Sequence, residues 1–385
     1  MKRRRRGQIL AISVVTVMAV AIGLIAWIVL RDDKASERQF AAVRAGDLVS
    51  MQPWSEVHVG NAEIWKIRYL TSDRSEKVRT ATALVSVPRK VKAGAPLVAY
   101  AHGTTGIARR CAPSERGTPM PTDGGAVQSA LDQGWVVVAP DYSGLGSAGD
   151  HGYLVGKEAA HDLLDALRAA RKMPDLELGE ENFVWGQSQG GHAALWAGVE
   201  AARYAPELPI VGVAAVAPPT DLAAMMAANV TTPGITRLHA YVLASWRKVY
   251  PGSGVWAEVD PAKRPLVNRI GALCGFDPVG ADEAALQLPV FPDTAPGTPM
   301  GRLLRINSPT GRIKAPVLIS QGGMDQVVPM AQQKAWVAQR CAEGQKIDLR
   351  EHPALDHLGI AYTSDAEIVA WIKGRLAGKP LTPTC

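Results

Sequence analysis

One stretch constrains this 385-residue chain more than any other: Asn182-Phe-Val-Trp-Gly-Gln-Ser-Gln-Gly-Gly191, an apolar run ending in Gly186-x-Ser188-x-Gly190 and leading into the helix-like His192-Ala-Ala-Leu-Trp-Ala197. A strand that turns so abruptly into a helix needs a sharp bend, and glycines two residues either side of the serine fit because side chains would crowd it. The bend lifts the Ser188 hydroxyl out of the backbone. The helix that follows offers free N–H groups and the positive end of its dipole to an oxyanion. Ser188 is therefore the candidate nucleophile.

Two other strand ends supply what such a serine requires. Ala95-Pro-Leu-Val-Ala-Tyr-Ala101 reads as a buried strand that breaks into His102-Gly-Thr-Thr-Gly106. A glycine-bearing loop there can aim a backbone N–H, for which Thr104 is the first candidate, at the same oxygen as the N–H of Gln189. His102 reads as a support of the loop. Further on, Ala315-Pro-Val-Leu-Ile-Ser320 is another apolar strand, and Asp325 lies just past its end. A carboxylate so placed can orient an imidazole and stabilise its charged form. After a third strand-like run, Lys346 to Glu351, come His352 and His357. His352 is too near the strand end to reach the serine and reads as half-buried packing, whereas His357 stands on a loop beyond a proline and is the candidate base. Asp356, adjacent to it in sequence, is the poorer partner. Asp141 reads as structural, and His151, His161 and His192 as surface or packing residues.

The order Ser188, Asp325, His357 is that of an α/β-hydrolase. His102-Gly-Thr-Thr-Gly106, Cys111-Ala-Pro-Ser114, Val138-Ala-Pro-Asp-Tyr-Ser-Gly-Leu-Gly146, Gly186-Gln-Ser-Gln-Gly-Gly191 and Pro218-Pro-Thr-Asp221 together resemble the secretory lipase family of that superfamily, over roughly residues 50 to 375. The resemblance implies hydrolysis of carboxylic esters, with acylglycerols among the candidate substrates, through a Ser-Asp-His triad. It also implies that a long insert acts as a cap helping to shape an acyl pocket.

The pass along the chain fits an α/β architecture with a mostly parallel sheet and helices on both faces. Residues 31–55 read as a polar spacer; 62–70 and 78–87 alternate as strands of an antiparallel start; 134–139 and 210–216 are buried strands; 157–172 has helical periodicity. Between Asp221 and Ala315 this alternation stops for far longer than an ordinary connection. Residues 222–228 and 236–250 read as helices of a largely helical insert, the second exposing Tyr241, Leu243 and Trp246 in varied directions; residue by residue the aromatics, with Met225 and Met226, read more readily as the insert's own core than as part of an acyl pocket. The expected organisation is a basic tip and anchor at 1–34, hydrolase core at 35–221, cap at 222–314 and hydrolase core again at 315–385.

Charge and cysteines bear on location. The net charge is +6, but five positive charges sit at Lys2 and Arg3 to Arg6, so the rest of the chain gives a nucleic-acid partner no support. Behind that basic tip, Ile9 to Leu30 is a 22-residue stretch without a charge, long enough to cross a bilayer. It has no clear cleavage site, which predicts a signal anchor with its N-terminus in the cytoplasm; the alternative is a cleaved leader and a secreted enzyme. Either way the remainder leaves the cytoplasm. The four cysteines have no metal or redox spacing and suit an oxidising compartment. Three pairings are open, as are four buried thiols. Cys341 with Cys385 would tie down the C-terminal tail, leaving Cys111 with Cys274.

No residue cluster has metal-ligand spacing and no phosphate-cradling loop is apparent, so no cofactor is expected. The leading function is a serine esterase or lipase acting on a small-molecule or lipid ester. An acyltransferase on the same fold, and a non-catalytic hydrolase-fold binding protein, are the rivals.

Overall fold

In the computed structural model, which describes residues 44–56, 58–115, 125–228, 235–275, 277–278 and 292–385, the chain is organised around nine strands: β1 (Leu48–Pro53), β2 (Ala62–Ser72), β3 (Val78–Pro88), β4 (Ala95–Ala101), β5 (Val136–Pro140), β6 (Leu178–Gln187), β7 (Ile210–Val216), β8 (Val317–Gly322) and β9 (Ile347–His352). Their order across one sheet is β1-β2-β3-β5-β4-β6-β7-β8-β9. The pairs from β1 to β5 are antiparallel, and every pair from β5 to β9 is parallel.

The two-residue period of a strand sorts its side chains onto two covered faces. Leu97 and Ala99 of β4, Val184 of β6, and Val317 and Ile319 of β8 join one core cluster, whereas Val98 and Tyr100, Phe183 and Trp185, and Leu318 join another. That is why these strands read as unbroken apolar runs. The first face is covered by α2 (Gly156–Ala170), α3 (Gln189–Tyr204) and α9 (Met330–Ala342), through Leu163, Leu167, Leu195 and Trp336. The second is covered by α1 (Ala126–Leu131) and α11 (Asp365–Leu376), through Val127, Ile368, Trp371 and Ile372. Each such large side chain contributes about 1.5–3 kcal/mol by leaving water.

The stretch expected as spacer contains β1 instead. Its residues are mostly exposed, and only Leu48 and Met51 lean on the core, so no alternation marks it as a strand. β2 and β3 also run slightly further than the alternation indicated, and α2 ends two residues earlier.

The segment between β7 and β8 is helical where it is described: α4 (Leu222–Ala228), α5 (Ile235–Val249), α6 (Val255–Glu258), α7 (Arg264–Gly271) and α8 (Pro299–Ile306). It packs into an apolar cluster that includes Met225, Met226, Val267, Ile270, Met300 and Leu304, and that Tyr153, Leu154, Val155 and Val328 from the rest of the chain join. Tyr241, Leu243 and Trp246 are fully buried in it, as the reading of these aromatics as core of the insert expects. The cause is packing on more than one side of α5: Trp246 Nε1 donates to the Tyr153 carbonyl at 2.8 Å, and Tyr241 Oη to that of Leu273 at 3.1 Å.

Two disulfides are present, Cys111–Cys274 and Cys341–Cys385, with Cα separations of 5.3 and 5.8 Å. The first joins the chain beyond β4 to the insert, where Gly106 also bridges to Cys274. Gly106 needs to be glycine there: its φ is +119°, and a Cβ would press on Cys111 Sγ and the Cys274 backbone. Among the described residues no helix is long and apolar enough to cross a membrane. The proposed anchor, residues 9–30, and the 1–34 segment lie outside the described residues.

Candidate active site

β4 sits between β5 and β6, so the chain leaves it for a neighbour on one side and later returns on the other. Such a reversal opens a crevice beyond the carboxyl ends of the strands. Backbone strain collects along that edge: Tyr142 after β5, Ser188 after β6 and Ala217 after β7 all have positive φ.

Ser188 occupies the bend between β6 and α3 with φ 54° and ψ −120°, a conformation costing on the order of 1–3 kcal/mol that the surroundings must enforce. They do so closely. The Ser188 N–H donates to the Val216 carbonyl at 2.8 Å, and a Cβ on Gly190 would overlap the Ala101 carbonyl. Both glycines of the motif are therefore required by the approach of α3 to the ends of β4 and β6.

The hydroxyl of Ser188 lies 2.9 Å from His357 Nε2, and His357 Nδ1 lies 2.7 Å from Asp325 Oδ2. Because the carboxylate can only accept, Nδ1 carries the proton and Nε2 presents its lone pair to the serine. His357 opens the short helix α10 (His357–Thr363), whose cap is Asp356, accepting from the Gly359 N–H at 2.7 Å. Asp356 is thus occupied in holding the turn that aims His357. The Asp325 side chain is fully enclosed. Its Oδ1 accepts from the N–H groups of Val327 and Val328 at 2.8 and 2.7 Å, and its Oδ2 accepts from Gln321 Nε2 at 2.9 Å.

On the opposite side of the serine, Gln189 is the first residue of α3, where helical N–H groups have no partner within the helix. The loop carrying Thr104 is tied down by the Gly275 N–H to the Thr105 carbonyl at 2.7 Å, by the single ring N–H of neutral His102, whose Nδ1 lies 2.6 Å from the Gly103 carbonyl, and by Tyr142 Oη to the His102 carbonyl. The Thr104 hydroxyl bonds Tyr153 Oη at 2.8 Å.

The remaining histidines have other partners. His352, the last residue of β9, pairs with Glu367 at 3.1 Å. His151 and His192 are packing residues and not surface ones: the first donates to the Ser143 carbonyl and accepts from the Gln189 amide, and the second bonds the Asn307 carbonyl. Burial pushes His102, His151 and His192 down to about 4, 3 and 4, which keeps all three neutral at pH 7. His161 is buried and stacks on Tyr204 at 3.7 Å. Asp141 is enclosed by Thr82 and Ser114, each hydroxyl donating at 2.6 Å, and burial raises it to about 6 despite them. Among the described residues no group of three or more His, Cys, Asp or Glu could hold a metal ion.

Two residues of the site escaped sequence reasoning. Gln321 carried a signal, an amide inside the buried run of β8 and four residues before Asp325. Tyr153 carried none, because its contact with Thr104 spans 49 positions.

A mostly parallel nine-stranded sheet, helices on both faces and a serine at a strand-to-helix bend define an α/β-hydrolase. The secretory lipase family model matches residues 117–278 and 306–384. The chain belongs to that family, and is a carboxylic ester hydrolase. It is 27% identical over 353 residues to a secreted triacylglycerol lipase of Malassezia globosa, covering 84% of this chain and 75% of that one. It is equally similar to a probable inactive lipase of Mycobacterium tuberculosis, with coverages of 82% and 74%. Among solved structures, lipase A of Candida antarctica in its closed state superposes with a TM-score of 0.74 at 20% identity, over 89% of this chain and 84% of that one. A ligand-bound rice cell wall degrading esterase from Xanthomonas oryzae gives 0.68 at 19%, over 87% and 100%.

Proposed function

We propose that the protein hydrolyses lipid esters through an acyl-enzyme on Ser188, with His357 as general base and Asp325 as its orienting acid. The observation that carries the reading is the unbroken chain of short contacts from Ser188 Oγ through the His357 ring to Asp325. His357 Nε2 takes the serine proton as Oγ attacks the ester carbonyl carbon. The backbone N–H groups of Gln189 and Thr104 hold the oxyanion, the alcohol leaves with the proton from His357, and water then repeats the sequence to release the acid. The word inactive in the name of the mycobacterial relative does not carry over, because here nucleophile, base and acid are all present and in contact.

A lipid ester is favoured over a small soluble one by what flanks the histidine. Leu358 and Tyr362, one helical turn apart on α10, and Met324, next to Asp325, are exposed by 58%, 57% and 62%. All three stand within five residues of His357 or next to Asp325 in the chain, and exposed apolar groups so placed support a surface meant for apolar matter. The helical insert at 222–314 acts in this reading as the cap over the acyl chain.

The test is turnover of p-nitrophenyl esters of increasing chain length. Ser188→Ala and His357→Ala should each reduce kcat by about 10³ to 10⁶, while His352→Ala keeps most activity. A severe His352→Ala beside a mild His357→Ala would reassign the base; full turnover by Ser188→Ala would end the reading.

The two disulfides and the secretory lipase family support a location outside the cytoplasm, and the reading adds a tether through residues 9–30. Membrane fractionation should recover it in the carbonate-resistant pellet; a soluble mature chain beginning after residue 30 would refute the tether and favour secretion.

A further inference from the structure

Gln321 has no part in the chemistry outlined above, yet among the described residues it is the one side chain besides His357 that bonds Asp325. It is completely buried on β8. Its Nε2 donates to Asp325 Oδ2 at 2.9 Å and to the Val328 carbonyl at 2.9 Å, with the Gly322 carbonyl at 3.3 Å. All three neighbours are acceptors, so the amide is fixed in this orientation: turned over, it would set an oxygen against a carboxylate and two carbonyls. The orientation has a cost. Gln321 Oε1 is buried without a hydrogen-bond partner, the kind of unsatisfied atom that folded proteins keep at few places. An apolar side chain in the same interior site would avoid it, which indicates that the amide donor is retained for something besides packing.

What the donor reaches is the oxygen that His357 uses. Oδ2 receives both His357 Nδ1–H and Gln321 Nε2–H, while Oδ1 receives two backbone N–H groups. The carboxylate is closed off from water, so these four donors stand in for its hydration shell. Three of them belong to the backbone of the 325–328 turn or to His357 itself. Gln321 alone anchors the carboxylate to the sheet, and by also bonding the Val328 carbonyl it fixes the turn that carries Asp325.

We propose that Gln321 is a positioning residue of the ester hydrolase site: its amide holds Asp325 Oδ2 in the plane of the His357 ring and tempers the negative charge that Oδ2 presents to the imidazolium. The proposal rests on the Ser188–His357–Asp325 reading. Losing the donor leaves a carboxylate that holds the imidazolium proton more tightly. The base form then becomes available only at higher pH.

The test compares Gln321→Met, similar in length without a donor, and Gln321→Glu, similar in shape with an added acid, against the wild type. Competent sites are counted by fluorophosphonate labelling and folding by thermal melts. For Gln321→Met, kcat per labelled site should fall roughly 10- to 100-fold with KM little changed, and the acid limb of kcat/KM should move up by about half to one pH unit. Gln321→Glu should move it further in the same direction. Turnover per labelled site that falls with no movement of the acid limb in either variant, or that does not fall, overturns the proposal and leaves a packing role. An unlabelled wild type, or an active Ser188→Ala, would instead fail the triad reading itself, so the two failures are distinct. Should Gln321→Met not fold, the limb of Gln321→Glu alone decides.

Discussion

The carboxyl edge of the sheet and the helical insert are built on opposite plans. At the sheet edge, the proposed nucleophile, base and acid each sit within a few residues of a strand end or helix start, and each is fixed by short bonds to nearby backbone: Ser188 to Val216, Asp325 to Val327 and Val328, Asp356 to Gly359 beside His357. The insert instead packs through apolar side chains into a cluster completed by Tyr153, Leu154, Val155 and Val328. It meets the rest through contacts between residues far apart in sequence, among them Cys111–Cys274, Ser245 to the His151 carbonyl and the Tyr153 N–H, and Trp246 to the Tyr153 carbonyl. In the proposed reading such a division lets the chemistry stay constant while the surface over the acyl chain varies. Tyr153 is one point at which the two plans touch, since its hydroxyl bonds Thr104 in the loop after β4.

The division can be broken most forcefully at Trp246. Trp246→Ala should cost about 3–5 kcal/mol, the range for truncating a buried aromatic, read as a lower urea midpoint. If the insert selects the acyl chain and the sheet edge performs the reaction, preference among chain lengths should weaken. Turnover of a short ester per labelled site should fall by well under the roughly 100-fold that a displaced reacting group costs. A full collapse of short-ester turnover in folded protein would show that the two regions are one unit.

A smaller effect sharpens the other side of the comparison. Burial holds His192, on α3 behind the nucleophile, at about 4 against an ordinary 6.5. Below pH 6.5 the unfolded chain binds a proton that the native one refuses, so a contribution fully present above 6.5 is lost as the pH falls toward 4. Asp141 and Asp162, raised by burial to about 6 and about 7, act in the opposite sense, losing stability as the pH rises from about 4 toward 7. His192→Gln removes one member of the first group. Relative to wild type, it should gain about 2 kcal/mol on going from pH 7 to pH 5, measured from urea midpoints at the two values. An unchanged difference would mean that His192 is charged in the folded protein.

How much of this was legible in the sequence follows the same division. Ser188, Asp325 and His357 could be named because strand ends, glycines and a proline break are local signals, and the structure brings these three side chains together. The buried strands β4 to β8 were legible for the same reason. β1 was not, because an edge strand with little burial has no pattern to display. That Tyr241 and Trp246 belong to the core of the insert was legible from residue type, but which neighbours cover α5 on more than one side was not. Tyr153 meets Thr104 through a contact that only the folded chain creates, and the sequence marked Gln321 by its place in the buried run of β8 without giving its partners. Of the three possible pairings, the expected one, Cys341 with Cys385 and Cys111 with Cys274, is the one the structure has.

The central claim, that Ser188 is the activated nucleophile of this fold, is tested most directly by peptide mapping of the fluorophosphonate adduct. The account predicts one adduct per molecule, on the peptide containing Ser188, with labelling abolished in Ser188→Ala and slowed by orders of magnitude in His357→Ala. An adduct on another serine, or labelling that persists at the wild-type rate in Ser188→Ala, would contradict it.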